Sequence, residues 1–304
     1  MPDSTRPVTG VLCMAYGSPE GEEGIEAYFT HIRGGRPPSP EALEGLRARY
    51  RATGGSPLTE ITRAQARALA ARLDMPVFAG MKHAPPFIAD AAAEARAAGV
   101  ERLVGLPLAP HYAEMSLGGY LAALSKAWDG EQIFVPGFHD HPAFIAAIRI
   151  LLAEAMRDFK PEVVFFTAHS LPARIEAAGD RYRDRLLDSC RLVAEGIPLP
   201  PWEFAFQSAS HTGEPWLGPG LLEALARTRV RRALVCPIGF VADHLEILFD
   251  IDIEAKAAAA GVGIELRRTQ SFNARPELID ALALVVNDAL KPASRPHGAR
   301  IMGA

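Results

Sequence analysis

Val163-Val164-Phe165-Phe166-Thr167-Ala168-His169-Ser170-Leu171-Pro172 is the stretch that decides the fold. Its first five residues form an unbroken apolar and β-branched run, too short for a helix and without polar alternation. Such a run reads as a strand buried on both faces, as in a parallel sheet covered by helices on both sides. The run ends at a histidine, and Ser-Leu-Pro then breaks the regular structure. The start of the chain repeats the design: residues 8–14 are largely apolar and lead into Ala15-Tyr16-Gly17-Ser18-Pro19. A second pair of segments also matches. Arg102-Leu103-Val104-Gly105-Leu106-Pro107 is answered by Arg232-Ala233-Leu234-Val235-Cys236-Pro237. The first is followed by His111-Tyr112-Ala113-Glu114, the second by Ala242-Asp243-His244-Leu245-Glu246. Chance similarity of βα loops, which draw on few residue types, is the competing explanation.

Working outward, short apolar runs alternate with longer stretches of helical period. Strands are expected over residues 8–14, 76–80, 102–108, 132–135, 163–167, 203–207, 232–237 and 264–267. Helices are expected over 20–31, 40–52, 61–73, 87–98, 117–126, 143–158, 180–195, 220–228, 242–260 and 275–291. This alternation predicts an α/β protein of two Rossmann-like lobes, each a parallel β-sheet flanked by helices, around a central cleft. The lobes are expected over 1–140 and 141–291, with the last helix packing back on the first lobe and 292–304 as a flexible tail. In open parallel sheets ligands bind beyond the carboxyl ends of the strands. Tyr16, His111, His169 and the segment around Glu246 would all lie at such ends.

The composition is that of a globular protein: 304 residues, 49% hydrophobic, with 32 bases against 36 acids and a net charge of -4. That balance argues against a nucleic-acid binder and against a polybasic membrane surface. Cys13, Cys190 and Cys236 are far apart, which suits a reducing compartment and cannot by itself build a four-cysteine metal site. The N-terminal residues lack a signal-peptide layout, and no apolar run is long enough to span a membrane. A cytoplasmic monomer is expected.

Several residues could carry chemistry. His169, at the end of its strand, can accept a proton or bind a metal; it also reads as a loop histidine bonding a backbone carbonyl. Glu246, Asp250 and Glu254 recur at i, i+4 and i+8, a carboxylate column on one face of a helix. Leu245, Leu248, Phe249 and Ile253 occupy its other faces, and Asp252 lies off the column. The column reads either as a relay for cations or protons, or as a solvated acidic face. Gly54-Gly55-Ser56-Pro57-Leu58 breaks a helix and offers backbone N–H groups and a hydroxyl to an anion, or is simply a turn. Arg33, Arg36, Arg47, Arg49 and Arg51 precede it in sequence, and arginine suits carboxylate recognition. There is no GxGxxG after the first strand, no Walker loop and no GxSxG.

Phe166-Thr167-Ala168-His169-Ser170-Leu171-Pro172 resembles the Ser-Ala-His-Ser-Leu-Pro signature of ferrochelatases. The segment from Pro237 through Val241-Ala242-Asp243-His244-Leu245-Glu246 to Asp250 resembles their second signature. Met14-Ala15-Tyr16-Gly17-Ser18-Pro19, Gly54-Gly55-Ser56-Pro57-Leu58 and Trp216-Leu217-Gly218-Pro219 add further matches, in family order, across residues 8–290. Tyr16 after Met14-Ala15, with His31-Ile32-Arg33 following, is similar to the small soluble enzymes of Gram-positive bacteria, whose substrate is coproporphyrin III. The apolar lip of mitochondrial relatives is replaced by the acidic Gly21-Glu22-Glu23-Gly24-Ile25-Glu26.

The resemblance implies insertion of Fe2+ into coproporphyrin III, giving iron-coproporphyrin III in heme biosynthesis. It implies that His169 and a neighbouring Glu246 handle the metal and the pyrrole protons, the imidazole being neutral, and that Tyr16 ligates iron from the opposite face. Arg33, Arg49, Tyr50, Ser56 and Tyr120 match positions that hold propionates or line the pocket, and Asp250 and Glu254 match an acidic metal or proton path. Where relatives often carry a second basic residue after the one matching Arg33, this chain has Gly34, so that propionate contact is absent or supplied by Arg36. No permanently bound cofactor is implied, with Fe2+ as substrate and a Mg2+ ion at the acidic face as an option. An iron–sulfur cluster is excluded because no cysteine follows Cys236. A transient contact with the next heme-pathway enzyme is expected. The alternatives are a protoporphyrin IX ferrochelatase, a cobalt chelatase for a corrinoid precursor, and a non-catalytic tetrapyrrole carrier.

Overall fold

A computed structural model of the chain describes residues 7–209 and 213–292. The expected tail therefore lies, from residue 293 on, outside the described residues. The strands are β1 (Thr9–Ala15), β2 (Val77–Met81), β3 (Arg102–Pro107), β4 (Glu131–Phe134), β5 (Val163–His169), β6 (Trp202–Gln207), β7 (Arg232–Cys236) and β8 (Glu265–Arg268). They form two parallel four-stranded sheets of the same order, β2-β1-β3-β4 and β6-β5-β7-β8. The internal match thus reflects a repeated architecture: β1 and β5 hold the same place, as do β3 and β7. Each is a point where the winding reverses, and there the two strands' following loops part and leave a crevice.

The α-helices are α1 (Ile25–Ile32), α2 (Pro40–Thr53), α3 (Leu58–Leu73), α4 (Ile88–Ala97), α5 (Gly119–Ala127), α6 (Pro142–Phe159), α7 (Arg174–Ala177), α8 (Tyr182–Glu195), α9 (Leu221–Arg227), α10 (Lys256–Gly261) and α11 (Pro276–Leu290). Helix α2 shows how sequence sets such bounds. Ser39 caps its first turn by accepting from the Ala42 amide at 3.2 Å, Pro40 takes the position where no amide is needed, and Gly54 ends it at φ 71°. Helix α11 packs against both α3 and α6. Gln65 donates to the Asn273 carbonyl at 2.8 Å and Arg72 pairs with Asp280 at 2.5 Å.

The core follows from this arrangement. One apolar cluster joins Val11, Cys13 and Val104 of the first sheet to Val164, Phe166 and Leu234 of the second through α6 and α11. Smaller clusters cover the outer faces, around Leu12 and Met14 in one lobe and Phe165 and Val235 in the other. Val164, Phe165 and Phe166 are fully buried, so their strand is covered on both faces, as its unbroken apolar run requires. Among the described residues no helix is long and apolar enough to cross a membrane.

Candidate active site

His169 is the last residue of β5. Its strand is held on one side by β6, with His169 in register with Gln207, and on the other by β7. The Ser-Leu-Pro that follows is anchored: Ser170 donates from Oγ to the Leu217 carbonyl at 2.7 Å, and Tyr182 donates to the His169 carbonyl at 3.1 Å. The loop after β7 lies against this strand end because Gly239 lacks a side chain. A Cβ there would stand 2.6 Å from the Ala168 Cβ, and the Gly239 amide donates to the Thr167 carbonyl at 3.1 Å. This close approach delivers Glu246 to His169, with Glu246 Oε1 at 3.3 Å from His169 Nε2.

A third residue completes the arrangement. His244 Nε2 lies 3.5 Å from the other Glu246 oxygen, Oε2. Both imidazoles are turned the same way: Nδ1 of His169 meets the Ser170 carbonyl, and Nδ1 of His244 meets the Ala242 carbonyl at 3.0 Å. A carbonyl only accepts, so each Nδ1 carries a proton and each Nε2 is left for Glu246. In the sequence His244 belongs to the internal match and to the signature, with no role of its own. Its spacing two residues before Glu246 gave no sign that it would fold back on that carboxylate.

The charges follow. Burial opposes protonation of His169, but the Glu246 charge and hydrogen bond, the Ser170 carbonyl and the Asp250 charge outweigh it and raise its pKa to about 9. Burial likewise opposes ionisation of Glu246, but His169 and His244 hold its pKa well below the usual carboxylate range. The expectation of a neutral His169 is thereby corrected: without substrate the pair is imidazolium and carboxylate, because the lone proton acceptor aimed at Nε2 is an anion.

The acidic column also differs from expectation. Residues Ile247–Ala255 form a π-helical segment, not the α-helix expected over 242–260. The physical reason lies in the apolar residues beside the column. Ile247, Ile251, Ala255 and Ala259 are all fully buried and recur every fourth residue. A stripe of period four drifts one way around an α-helix of 3.6 residues per turn, and the wider π turns, drifting the other way, offset it. That strict period was the available signal. The carboxylate column runs beside the stripe, one residue earlier. Asp250 is only 6% exposed, while Glu254 at the outer end is exposed and Ile253 is 38% exposed. Burial raises the Asp250 pKa to about 6, with Glu246 and Glu254 adding to it against a Ser208 hydrogen bond and Arg49. Asp252 faces away, paired with Arg268 at 2.9 Å and Lys256 at 3.1 Å.

The first lobe supplies the facing wall. Tyr16 follows β1 and is 40% exposed, its ring 4.4 Å from His83 and 6.5 Å from Tyr28. Gly17 at φ 88° turns the chain there, where a Cβ would stand 2.8 Å from the Met81 Cβ. Burial and the Glu246 charge raise the Tyr16 pKa to about 12, so the phenol is neutral and shares a cleft with Glu246. Tyr50 is buried, and burial leads the rise in its pKa, with Glu246 and Tyr16 contributing. Tyr120 is buried at the start of α5. Arg33 is exposed at the end of α1 with its guanidinium 5.8 Å from the Phe29 ring, and Arg36 donates to the Arg33 carbonyl at 3.3 Å.

Two expectations change on this wall. Arg49 does not stand free: its Nη1 is 3.4 Å from Asp250 Oδ1, and its guanidinium lies 4.8 Å from the Phe249 ring. The Gly54 and Gly55 amides are spent on ending α2, donating to the Arg51 and Tyr50 carbonyls at 3.3 and 2.9 Å, so they are not free for an anion. Ser56 is half-buried just beyond, its carbonyl accepting from Ser18 Oγ at 3.1 Å. Among the described residues no three His, Cys, Asp or Glu side chains form a preassembled metal cage. A metal at His169 and Glu246 would therefore keep other ligands such as water, and a Mg2+ on the column would have Asp250 and Glu254 alone.

A profile of the family described as ferrochelatase matches residues 8–290. The "Ferrochelatase" of Herpetosiphon aurantiacus is 42% identical over 298 residues, covering 91% of this chain and 98% of that one. The "Coproporphyrin III ferrochelatase" of Geobacillus sp. (strain WCH70) is 39% identical over 303 residues, covering 93% and 98%. The solved structure of CbiX, titled the terminal enzyme for biosynthesis of siroheme in denitrifying bacteria, aligns with a TM-score of 0.61 at 16% identity. It covers 93% of this chain and 100% of that one, and shows the shared two-lobe fold.

Proposed function

The chain belongs to the ferrochelatase family and is a ferrochelatase enzyme, and from that premise we propose that it inserts Fe2+ into coproporphyrin III to give iron-coproporphyrin III in heme biosynthesis. The observation that carries this reading is Glu246 held between the Nε2 atoms of His169 and His244, at 3.3 and 3.5 Å, across a cleft from Tyr16. The choice of porphyrin is supported by the name of the Geobacillus relative.

Insertion releases two pyrrole N–H protons as Fe2+ enters, and the residues must both part with iron and receive those protons. An incoming dication displaces the His169 Nε2 proton, which leaves by way of Asp250 and Glu254 to solvent, freeing a lone pair beside the Glu246 carboxylate. These two groups then hold iron weakly enough to pass it on. Once the iron has moved to the four pyrrole nitrogens, Nε2 and the carboxylate are bare again, and the released protons have a base and an acid anion to go to. Asp250, with a pKa near 6, takes a proton readily near neutral pH, and Glu254 carries the path to solvent. Bending the macrocycle exposes its nitrogen lone pairs, with binding energy from the substrate's carboxylates meeting that strain.

In this reading Tyr16 ligates the product iron from the opposite face. Arg33, Arg36, Tyr50, Ser56 and Tyr120 line the carboxylate-binding wall. Arg49 acts through Asp250 until substrate draws it away. No permanently bound cofactor is required, and the enzyme works as a cytoplasmic monomer that passes its product to the next heme-pathway enzyme. The test is an anaerobic insertion assay with coproporphyrin III and protoporphyrin IX side by side. Faster turnover of coproporphyrin III is expected; preference for protoporphyrin IX would overturn the substrate assignment.

A further inference from the structure

Lys82 follows β2 as Tyr16 follows β1, and the two strand ends are in register, Ala15 against Met81. The Lys82 amide donates to the Ala15 carbonyl at 2.8 Å and the His83 amide to the Tyr16 carbonyl at 2.9 Å, so the two chains leave the sheet side by side. The half-buried Lys82 side chain turns toward α5. Its Nζ stands 5.4 Å from the centre of the Tyr120 ring and rests on Gly119, where a Cβ would be 2.3 Å away. An ammonium cradled this way is fixed in position, unlike a surface lysine on a free stem.

Among the described residues no carboxylate pairs with it, and burial alone lowers its pKa from the ordinary lysine value. A half-buried cation without a counterion costs the folded protein free energy, which an anion arriving from outside recovers. The neighbouring charges point the same way. Arg49 is taken by Asp250, Arg47 by Glu26 and Arg51 by Glu22 and Glu44. That leaves Arg33 and Arg36 at the rim and Lys82 beside Tyr16 and Tyr120.

We propose that Lys82 is a specificity-determining residue of this site, taking one substrate carboxylate at the Tyr120 side of the cleft and selecting porphyrins with four carboxylates over those with two. The inference rests on the porphyrin reading given above and deepens it. A tetracarboxylate brings an anion to Lys82. A dicarboxylate whose acids share one edge, satisfied at the Arg33 rim, presents a hydrocarbon substituent to the ammonium and leaves it unpaired.

The experiment is a fluorescence titration of metal-free coproporphyrin III and protoporphyrin IX, in mild detergent, into wild type and Lys82→Met, Lys82→Arg and Gly119→Ala. Methionine keeps the stem over Tyr120 and removes the charge. We expect Lys82→Met to weaken coproporphyrin III binding about 10- to 100-fold while changing protoporphyrin IX less than about 2-fold, in line with loss of one charge-assisted pair. Lys82→Arg should restore most of the loss. Gly119→Ala, which displaces the ammonium but keeps it, should give a smaller loss of the same selectivity. Equal weakening for both porphyrins, or no change for either, overturns the role of Lys82. Wild type that binds protoporphyrin IX and not coproporphyrin III overturns the substrate reading itself.

Discussion

Arg49 of the first lobe and Asp250 of the second meet across the cleft, Nη1 to Oδ1 at 3.4 Å. The carboxyl also accepts from Ser208, yet burial keeps its pKa near 6. A residue in that condition costs stability when ionised. Its folded pKa lies above the unfolded value, so its favourable contribution is present below about pH 4 and is lost as pH rises through about 6. Asp250→Asn should therefore be more stable than wild type at pH 7.5, by about 2 kcal/mol, with the difference vanishing toward pH 4. Urea denaturation at a series of pH values checks this, and a constant difference across the range would show that the titration is not the cause. Insertion activity should fall in the same variant.

His169 and Glu246 make the opposite kind of pair, each stabilising the other's charge. The His169 pKa near 9 means that its stabilising contribution is present below about 6.5 and fades as pH rises through about 9. Histidine NMR titration of the substrate-free protein should show one imidazole titrating near 9. In Glu246→Gln that resonance should move below 6.5, because burial then dominates. His169→Ala should abolish iron insertion while leaving porphyrin binding largely intact; near-normal anaerobic turnover would defeat the proposed role.

The fold was legible because the inner strands β1, β3, β5 and β7 are largely apolar runs, and the two halves repeat their order. The placement of candidate side chains was legible where a strand end sets it: Tyr16 follows β1 and His169 ends β5. Two features were not. The π-helical turn after Glu246 depends on the burial of Ile247, Ile251 and Ala255, which shares the sequence with an equally regular acidic column. The occupation of Arg49 by Asp250 and of Glu246 by His244 depends on how loops far apart in sequence approach each other, which local periodicity does not encode.

Arg268 predicts a structural dependence of the same site. Its guanidinium binds Asp252 at 2.9 Å and Asp243 at 3.1 Å, while Asp243 also accepts from Ser271 at 2.7 Å and Asn273 at 2.9 Å. The signature loop and the π-helical segment are thus tied to β8 through one side chain. Arg268→Met, which keeps the apolar stem, leaves two carboxylates partly buried and should cost about 3 kcal/mol in denaturant unfolding. The double variant with Asp252→Asn should recover part of that loss. Additive losses in the cycle would show that the pair is not coupled.

His244 should act through Glu246. Its Nε2 helps hold that carboxylate ionised, and its Nδ1 is committed to the Ala242 carbonyl. His244→Ala should slow insertion about 10- to 100-fold, within the range for loss of one positioned acid–base or charge-assisted group. Porphyrin affinity should change little, which separates this effect from a collapsed cleft. The histidine NMR signal of His169 should remain raised, since Glu246 is still beside it. A full loss of that raised titration would mean that His244 acts by holding the loop in place.

Tyr16 stands across the cleft, neutral at physiological pH because burial and the Glu246 charge push its phenol to about 12. To ligate a product iron, the hydroxyl must either bind as the neutral phenol or lose its proton under the metal's charge, and the second route favours a ferric product. Tyr16→Phe should therefore leave the rate of Fe2+ insertion within a few-fold of wild type. It should change the visible spectrum of bound iron-coproporphyrin III and alter product release, with the spectral difference largest after oxidation. The checks are single-turnover insertion and absorption spectroscopy of the product complex in both redox states. An unchanged spectrum in the phenylalanine variant would remove Tyr16 as an axial ligand, and a collapse of the insertion rate would move it into the chemical step.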